Sequence, residues 1–224
     1  MKNLMKMLLC FFNKMLIAFS FSKIPLKTNS FFRFSIKISP KNKLDFQKVF
    51  FEKSGLIING SGNILRIRDA IVSHSAIRID GENNQIDIAE GVKLRSANIT
   101  IRGNNCNISI GKNTTFGGIR IINAGLDNAI FIGENCLFAD HIELWASDTH
   151  NIYNSEDQII NKEKPVFIGN NVWVGSRVII LKGTTINDGS IIGMGSLVVN
   201  DVPAKSISVG NPNKPVKNDV KWSL

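Results

Sequence analysis

Three histidines are the side chains of this 224-residue sequence whose ordinary pKa suits proton transfer near neutral pH. His150 stands between Thr149 and Asn151 in the polar stretch WASDTHNIYNSEDQIINKEK, Trp145 to Lys164. Asp148 precedes it by two residues. In an extended segment both side chains point to one side, so the carboxylate could fix the imidazole tautomer and stabilise the imidazolium. An Asp there serves equally well as a loop cap. Glu143 is a second candidate for the orienting acid. His141 reads as a packed or solvent-facing residue with a smaller claim on a substrate, and His74, far upstream, as structural. A zinc site would need a ligand triplet. His141 and His150 are nine residues apart and His74 is much further away, so the spacing offers none. Trp145 and Trp173 are large aromatics in surroundings otherwise rich in aliphatics.

What positions these residues is a register of six. In PVFIGNNVWVGSRVIILKGTTINDGSIIGMGSLVVN, Pro165 to Asn200, the residues Ile168, Val174, Ile180, Ile186, Ile192 and Val198 recur every six without a miss, and Gly169, Gly175 and Gly193 follow three of them. A helix would scatter such residues around its cylinder, whereas a coil that turns a corner every six residues keeps them all inside. The pattern predicts an all-β solenoid of hexapeptide repeats. Upstream, the triplets Leu65-Arg66-Ile67, Ile86-Asp87-Ile88, Ile108-Ser109-Ile110, Ile130-Phe131-Ile132 and Val166-Phe167-Ile168 start 21, 22, 22 and 36 residues apart. Three hexapeptides make a coil of about 18 residues. The longer units therefore carry extra residues at one corner, marked by Asn83-Asn84, Gly103-Asn104-Asn105 and Gly125 to Asn128, residue types that tolerate a left-handed backbone. The spacing of 36 contains an insertion at about 145–164, polar and outside the repeat. A single long projection from a rigid prism is where function is expected. Beyond Val198, Pro203, Pro212 and Pro215 end regular pairing and predict a C-terminal cap over 203–224. The repeat body is expected over 56–202, preceded by an N-terminal segment, 1–55.

That segment holds the charge. Residues 1–53 carry eleven Lys and Arg against Asp45 and Glu52, the whole of the chain's net +9, while the remainder is balanced. A basic pI invites a nucleic-acid reading, but the neutral repeat body and the absence of a DNA- or RNA-binding motif argue against it. A membrane surface or an acidic glycan suits a basic, Phe-rich leader better. Residues 1–22 are apolar, yet Asn13 and Lys14 interrupt them, so no run is long enough to span a bilayer. A helix is expected there, packed on the body, on a partner subunit or on the inner membrane face, followed by an irregular connector, 23–53, broken by Pro25 and Pro40. Phe31, Phe32, Phe34, Phe46, Phe50 and Phe51 are expected to pack rather than stack on ligands. Cys10, Cys106 and Cys136 are odd in number and widely spaced, which fits reduced thiols and a cytoplasmic location.

The motifs WASDTHNIY at 145–153, IGNNVWVGSRVIILKG at 168–183, IIGMGSLVVNDVPA at 191–204 and SVGNPNKPVK at 208–217 resemble the hexapeptide-repeat acyltransferase superfamily, and most closely the bacterial O-acetyltransferases that modify sugars. The resemblance spans about Leu56 to Lys217. It implies a left-handed parallel β-helix, a hand that spacing alone does not give, since ordinary parallel crossovers are right-handed. It further implies a homotrimer with acetyl-CoA lying between adjacent prisms, and a saccharide acceptor. His150 aligns with the general base of that family. By the same resemblance Trp173 flanks the thioester, backbone groups at Gly175, Ser176, Gly193 and Ser196 hold the pantetheine arm, and Lys205 and Lys214 meet the CoA phosphates. Small residues also suit tight corners for conformational reasons alone. Trp145, with Glu143 and His141, would line the acceptor pocket. A thioester is already activated, so no metal is required. The sequence leaves amino-sugar N-acylation and longer acyl donors open on the same fold. A purely structural solenoid would need no irregular insertion bearing a histidine, and a γ-class carbonic anhydrase would need three histidines on zinc.

Overall fold

The computed structural model describes residues 29–223. The helix expected at 1–22, its membrane contact and Cys10 lie outside the described residues. The chain winds as a triangular prism with sheets of ten, eight and seven strands, parallel but for the last strand of the ten-stranded one, and successive coils add a strand to each sheet. The six-residue register is what closes the prism. Ile99, Ile121, Leu144, Ile180 and Val198 occupy one inward column of the eight-stranded sheet and are buried. The Ile-x-Ile triplets form a wall of their own, the seven-stranded sheet, through strands such as Gln85–Ile88, Asn107–Ile110, Ala129–Ile132 and Val166–Ile168. The solenoid is a left-handed parallel β-helix.

Corners are where backbone groups need partners, and asparagine supplies them. The Asn42 side-chain oxygen accepts from the Asn63 amide, that of Asn63 from the Asn84 amide, and that of Asn84 from the Cys106 amide, each at 2.9 Å. The Asn63 and Asn84 side-chain amides donate in turn to the carbonyls of Gly81 and Gly103. Buried polar groups are thereby paired coil by coil. The same corner carries a glycine column. Gly81 has φ +135°, and a Cβ placed on it would lie 1.9 Å from the Gly103 carbonyl oxygen. Gly81→Ala is expected to cost roughly 2–4 kcal/mol, seen as a lower midpoint in thermal or urea unfolding. An unchanged midpoint would contradict this packing.

Two expectations change here. Residues 23–53 are not an irregular connector where they are described: strands Ser30–Phe32, Ser35–Ile38, Lys43–Gln47 and Phe50–Glu52 extend the solenoid downward by a full coil. The reason is aromatic filling. Phe31, Phe34, Phe46 and Phe51 turn inward and stack with centroids 4.4–5.4 Å apart, closing the base of the core. At the other end, the strand Ile207–Val209 still pairs in parallel with Ile191–Ile192, and only then does Lys214–Lys217 fold back antiparallel on it. The repeat thus runs past 202, and the cap is shorter than expected. Cys106 and Cys136 are buried and unpaired with each other. Burial pushes the Cys106 thiol up and the Cys136 thiol up to about 11, consistent with structural thiols.

Candidate active site

The strand Ile142–Trp145 ends the last coil below the insertion, and the strand Val166–Ile168 resumes it. Between them the chain forms a small projecting hairpin. Tyr153 and Ile159 make an antiparallel bridge, and the Asn154 side-chain oxygen caps the turn by accepting from the Glu156 and Gln158 amides. Asn161 ties the hairpin to its base. Its side-chain oxygen accepts from the Ile152 amide at 2.7 Å, and its side-chain nitrogen donates to Asp148 Oδ2 and to the His150 carbonyl, both at 2.8 Å. From the coil above, Lys182 Nζ donates to Asp148 Oδ2 and to the Asn161 carbonyl, both at 2.6 Å, and to the Lys162 carbonyl at 3.1 Å. The Lys182 side chain is only 15% exposed. These bonds fix the backbone on both sides of His150, whose own side chain faces solvent.

Asp148 therefore has a different task from the one its spacing implied. No hydrogen bond joins it to the His150 imidazole; its carboxylate is held by Lys182 and Asn161. Partial burial pushes the Asp148 carboxyl up, but the hydrogen bonds from Lys182 and Asn161 together outweigh it and hold the group below the usual carboxylate range. Asp148 anchors the loop that carries the histidine.

On the eight-stranded sheet, Trp145 Nε1 donates to Glu143 Oε2 at 2.8 Å, and the Arg120 guanidinium lies 4.9 Å from the Trp145 ring centroid. Glu143, His141, Asp140 and Arg120 line one depression. His141 sits at the adjoining corner with φ +55°, exposed and 3.8 Å from Asp140 Oδ2. The Ser176 hydroxyl donates to Asp140 from the coil above, and this bond holds the Asp140 carboxyl below its ordinary value. Trp145, Glu143 and His141 thus share one outer face, next to the point where the insertion leaves the prism.

Trp173 faces outward on the ten-stranded sheet and is 39% exposed. The C-terminal tail folds back to meet it. Trp222 stands 6.1 Å from the Trp173 ring and donates its Nε1 to the Asn171 carbonyl at 2.6 Å. Lys205, Asn171, Val220 and Trp222 line a cavity of about 740 Å³ there. Lys214 is not among its lining residues; it sits on the antiparallel strand opposite Val209. The corner residues need revision. The amides of Gly175 and Gly193 are taken up by the carbonyls of Ile192 and Ser208, so neither offers a free donor to a ligand. Their lack of a side chain is demanded by packing: a Cβ on Gly175 would lie 2.8 Å from the Met194 nitrogen, and one on Gly193 2.6 Å from Val209 Cγ1. Ser196 is buried, its hydroxyl donating to the Gly193 carbonyl and accepting from the Gly210 amide. Thr184, Ser190 and Ser206 repeat the arrangement at other corners, each bonding the carbonyl three residues back, and the Ser196 side chain cannot contact a pantetheine arm.

His150 and Trp173 do not share a face of the prism. The insertion joins the eight- and seven-stranded sheets, whereas Trp173 lies on the ten-stranded one. Lys182, Asn161, Arg120 and Trp222 had no periodic signature in the sequence, and their roles come from coil stacking. Among the described residues no cluster of three or more His, Cys, Asp or Glu is placed to hold a metal.

Comparison with known proteins agrees with this fold. Residues 165–200 match the bacterial transferase hexapeptide family, six repeats. A Staphylococcus aureus protein named as an acetyltransferase is 34% identical over 127 residues, covering 50% of this chain and 62% of that protein. The chain thus spans less than two thirds of that relative's length. The galactoside O-acetyltransferase of Escherichia coli is 36% identical over 93 residues, covering 41% of this chain and 45% of its own. Among solved structures, the polysialic acid O-acetyltransferase OatWY superimposes with a TM-score of 0.79 at 28% identity over 85% of this chain and 91% of its own. The polysialic acid-specific acetyltransferase NeuO gives 0.75 at 28% identity over 88% and 89%. Residues 165–200 thus carry the repeat of that family, and over most of its length the chain is similar to these two solved O-acetyltransferases.

Proposed function

We propose that this protein is an acetyl-CoA-dependent O-acetyltransferase acting on a hydroxyl of a cell-surface saccharide or its precursor, with His150 as general base. The observation that carries the reading is the lock on the insertion, which holds the backbone around the exposed His150 imidazole on a hairpin that leaves the prism at Trp145. His150 takes the proton of the acceptor hydroxyl as its oxygen attacks the thioester carbonyl. The tetrahedral intermediate then collapses, the carbon–sulfur bond breaks, and CoA leaves as a thiol that receives the proton. Most of the chemical advantage comes from alignment of two reactants. The separation of His150 from Trp173 within one chain supports a homotrimer in which the acetyl-CoA cleft lies between copies, His150 coming from one and Trp173 with Trp222 from the next. Likeness to two polysialic acid O-acetyltransferases over most of both chains supports a saccharide acceptor. Residues 1–22 would serve as a peripheral contact with the inner membrane face.

The test is release of CoA thiol from acetyl-CoA across capsule, lipopolysaccharide and nucleotide-sugar acceptors. Acceptor-dependent release with at least one saccharide is expected. Release that no saccharide stimulates would overturn the assignment.

A further inference from the structure

The outer face of the eight-stranded sheet carries a run of cations that extends well beyond the groups used in the proposed chemistry. At the corner leading into this sheet, Arg33, Lys53 and His74 stack in successive coils, each with positive φ, and the Lys53 and His74 amides donate to carbonyls of the coil below. Further across the same face stand Lys37, Arg78 and Arg102, with Arg120 above. All of these side chains are exposed. Among the described residues, salt bridges take up Arg66, Arg68 and Arg78 but none of Arg33, Lys37, Lys53, Arg102 or Arg120. The acids along it are engaged: Asp80 with Arg78, Glu143 with Trp145, and Asp140, at the upper end, with Ser176. Between the two rows of cations the outward residues are short, as at Ser35, Gly55, Ala76 and Asn98. A Cβ on Gly55 would come within 3.1 Å of Ser35 Oγ and fill the floor.

Three depressions line up along this floor. The first, about 620 Å³, contains Arg33, Lys53 and His74; the second contains Arg78, Arg102 and Arg120; the third contains Arg120, His141 and Glu143. Asn98 lines all three. With coils about 4.8 Å apart, the track from Arg33 to Arg120 runs roughly 19 Å along the prism. It ends beside Trp145, where the insertion bearing His150 begins.

We propose that this trough binds the non-reacting portion of an anionic, carboxylate-bearing glycan chain and feeds one of its units to His150. The inference rests on the acceptor reading above and adds a site remote from the reacting atoms. Exposed guanidinium groups without a salt-bridge partner, as at Arg33, Arg102 and Arg120, suit carboxylates because their fork can donate two parallel hydrogen bonds. Hydroxyl and amide side chains on the floor suit sugar hydroxyls. Single-stranded nucleic acid would call for aromatic platforms on which bases stack, and no Phe, Tyr or Trp lines the three depressions.

The test measures binding and turnover separately. The full-length protein and the double variant Lys53→Glu/Arg102→Glu are titrated with polysialic acid, polygalacturonate, neutral dextran of matched length and a thymidine oligonucleotide. The wild type is expected to bind the two carboxylated chains, more weakly at high salt, and not the dextran. The variant should lose about tenfold or more in affinity. Its acetylation of a mono- or disaccharide acceptor should stay within about twofold of wild type, because neither residue touches the reacting groups. Binding to only one of the two acidic glycans would keep the trough and identify its source. Glycan affinity unchanged by the charge reversals, or tighter binding of the oligonucleotide, would overturn the proposal. If no acceptor is acetylated but acidic glycans bind in a trough-dependent way, the activity reading falls and the trough stands.

Discussion

His150→Ala should lower kcat by about 10²–10⁴-fold while leaving the affinity for acetyl-CoA and the assembly state unchanged. The magnitude is that of removing a positioned general base. The clean separation of effects follows from where the residue sits. His150 faces solvent on a hairpin whose internal hydrogen bonds use its backbone carbonyl and not its ring. Removing the imidazole leaves the Asn161 and Lys182 bonds in place and takes nothing from the prism core. Loss of folding or of acetyl-CoA binding alongside activity would mean that the histidine serves structure. Near-normal turnover would remove it from the mechanism.

Lys182→Met should lower kcat roughly 10²-fold with a small effect on the KM for acetyl-CoA and on the global unfolding midpoint. One ammonium holds Asp148 and the carbonyls of Asn161 and Lys162, so a methionine of similar length fills the space and satisfies none of them. A displacement of about 1 Å in a catalytic group suffices for a loss of that size. The structural signature is local: amide exchange over residues 148–163 should quicken while the prism stays protected. The same lock has a pH dependence with a definite sign. The Asp148 carboxyl is held below its ordinary value, so its stabilising contribution is complete above the ordinary Asp range, about 3.9. It is lost as pH falls through the lower folded-state value. In the Lys182→Met protein the loosening should already be present at neutral pH, and Lys182→Arg should restore part of it by returning a cation to Asp148. Unchanged kcat and unchanged exchange in Lys182→Met would show that the lock does not position His150.

The sequence made the upper solenoid legible because the inward positions of its six-residue register from Ile168 to Val198 are aliphatic. Ile168 to Val198 repeat at six and turn inward, as the register requires, and the Ile-x-Ile triplets trace one wall of the prism. The first coil was hidden because phenylalanines replace aliphatics inside, while Arg33, Lys41, Lys48 and Lys53 occupy left-handed corners that Gly and Asn mark higher up. Cationic residues at such corners resemble a solvated linker when read as composition. The insertion was legible as a break in the register, but its lock was not. Asn161 and Lys182 are 21 residues apart and meet only because one coil stacks on the next. The direction of the Ser196 side chain was hidden for a related reason. A small residue after Gly looks like an open corner, but in this register it turns inward and bonds its own turn, as Thr184, Ser190 and Ser206 do. Asp148 shows the limit of spacing as a guide: two residues from His150, it is drawn to a cation on another coil instead.

The most direct test of the central claim is the bond formed in the product. The purified protein would be incubated with carbon-13-labelled acetyl-CoA and a saccharide acceptor, and the product followed by NMR before and after mild hydroxylamine. Wild-type protein should place label on the glycan as an O-acetyl ester that hydroxylamine removes, and His150→Ala should place almost none. Label that resists hydroxylamine as an amide, or equal labelling by the His150→Ala protein, would contradict the account.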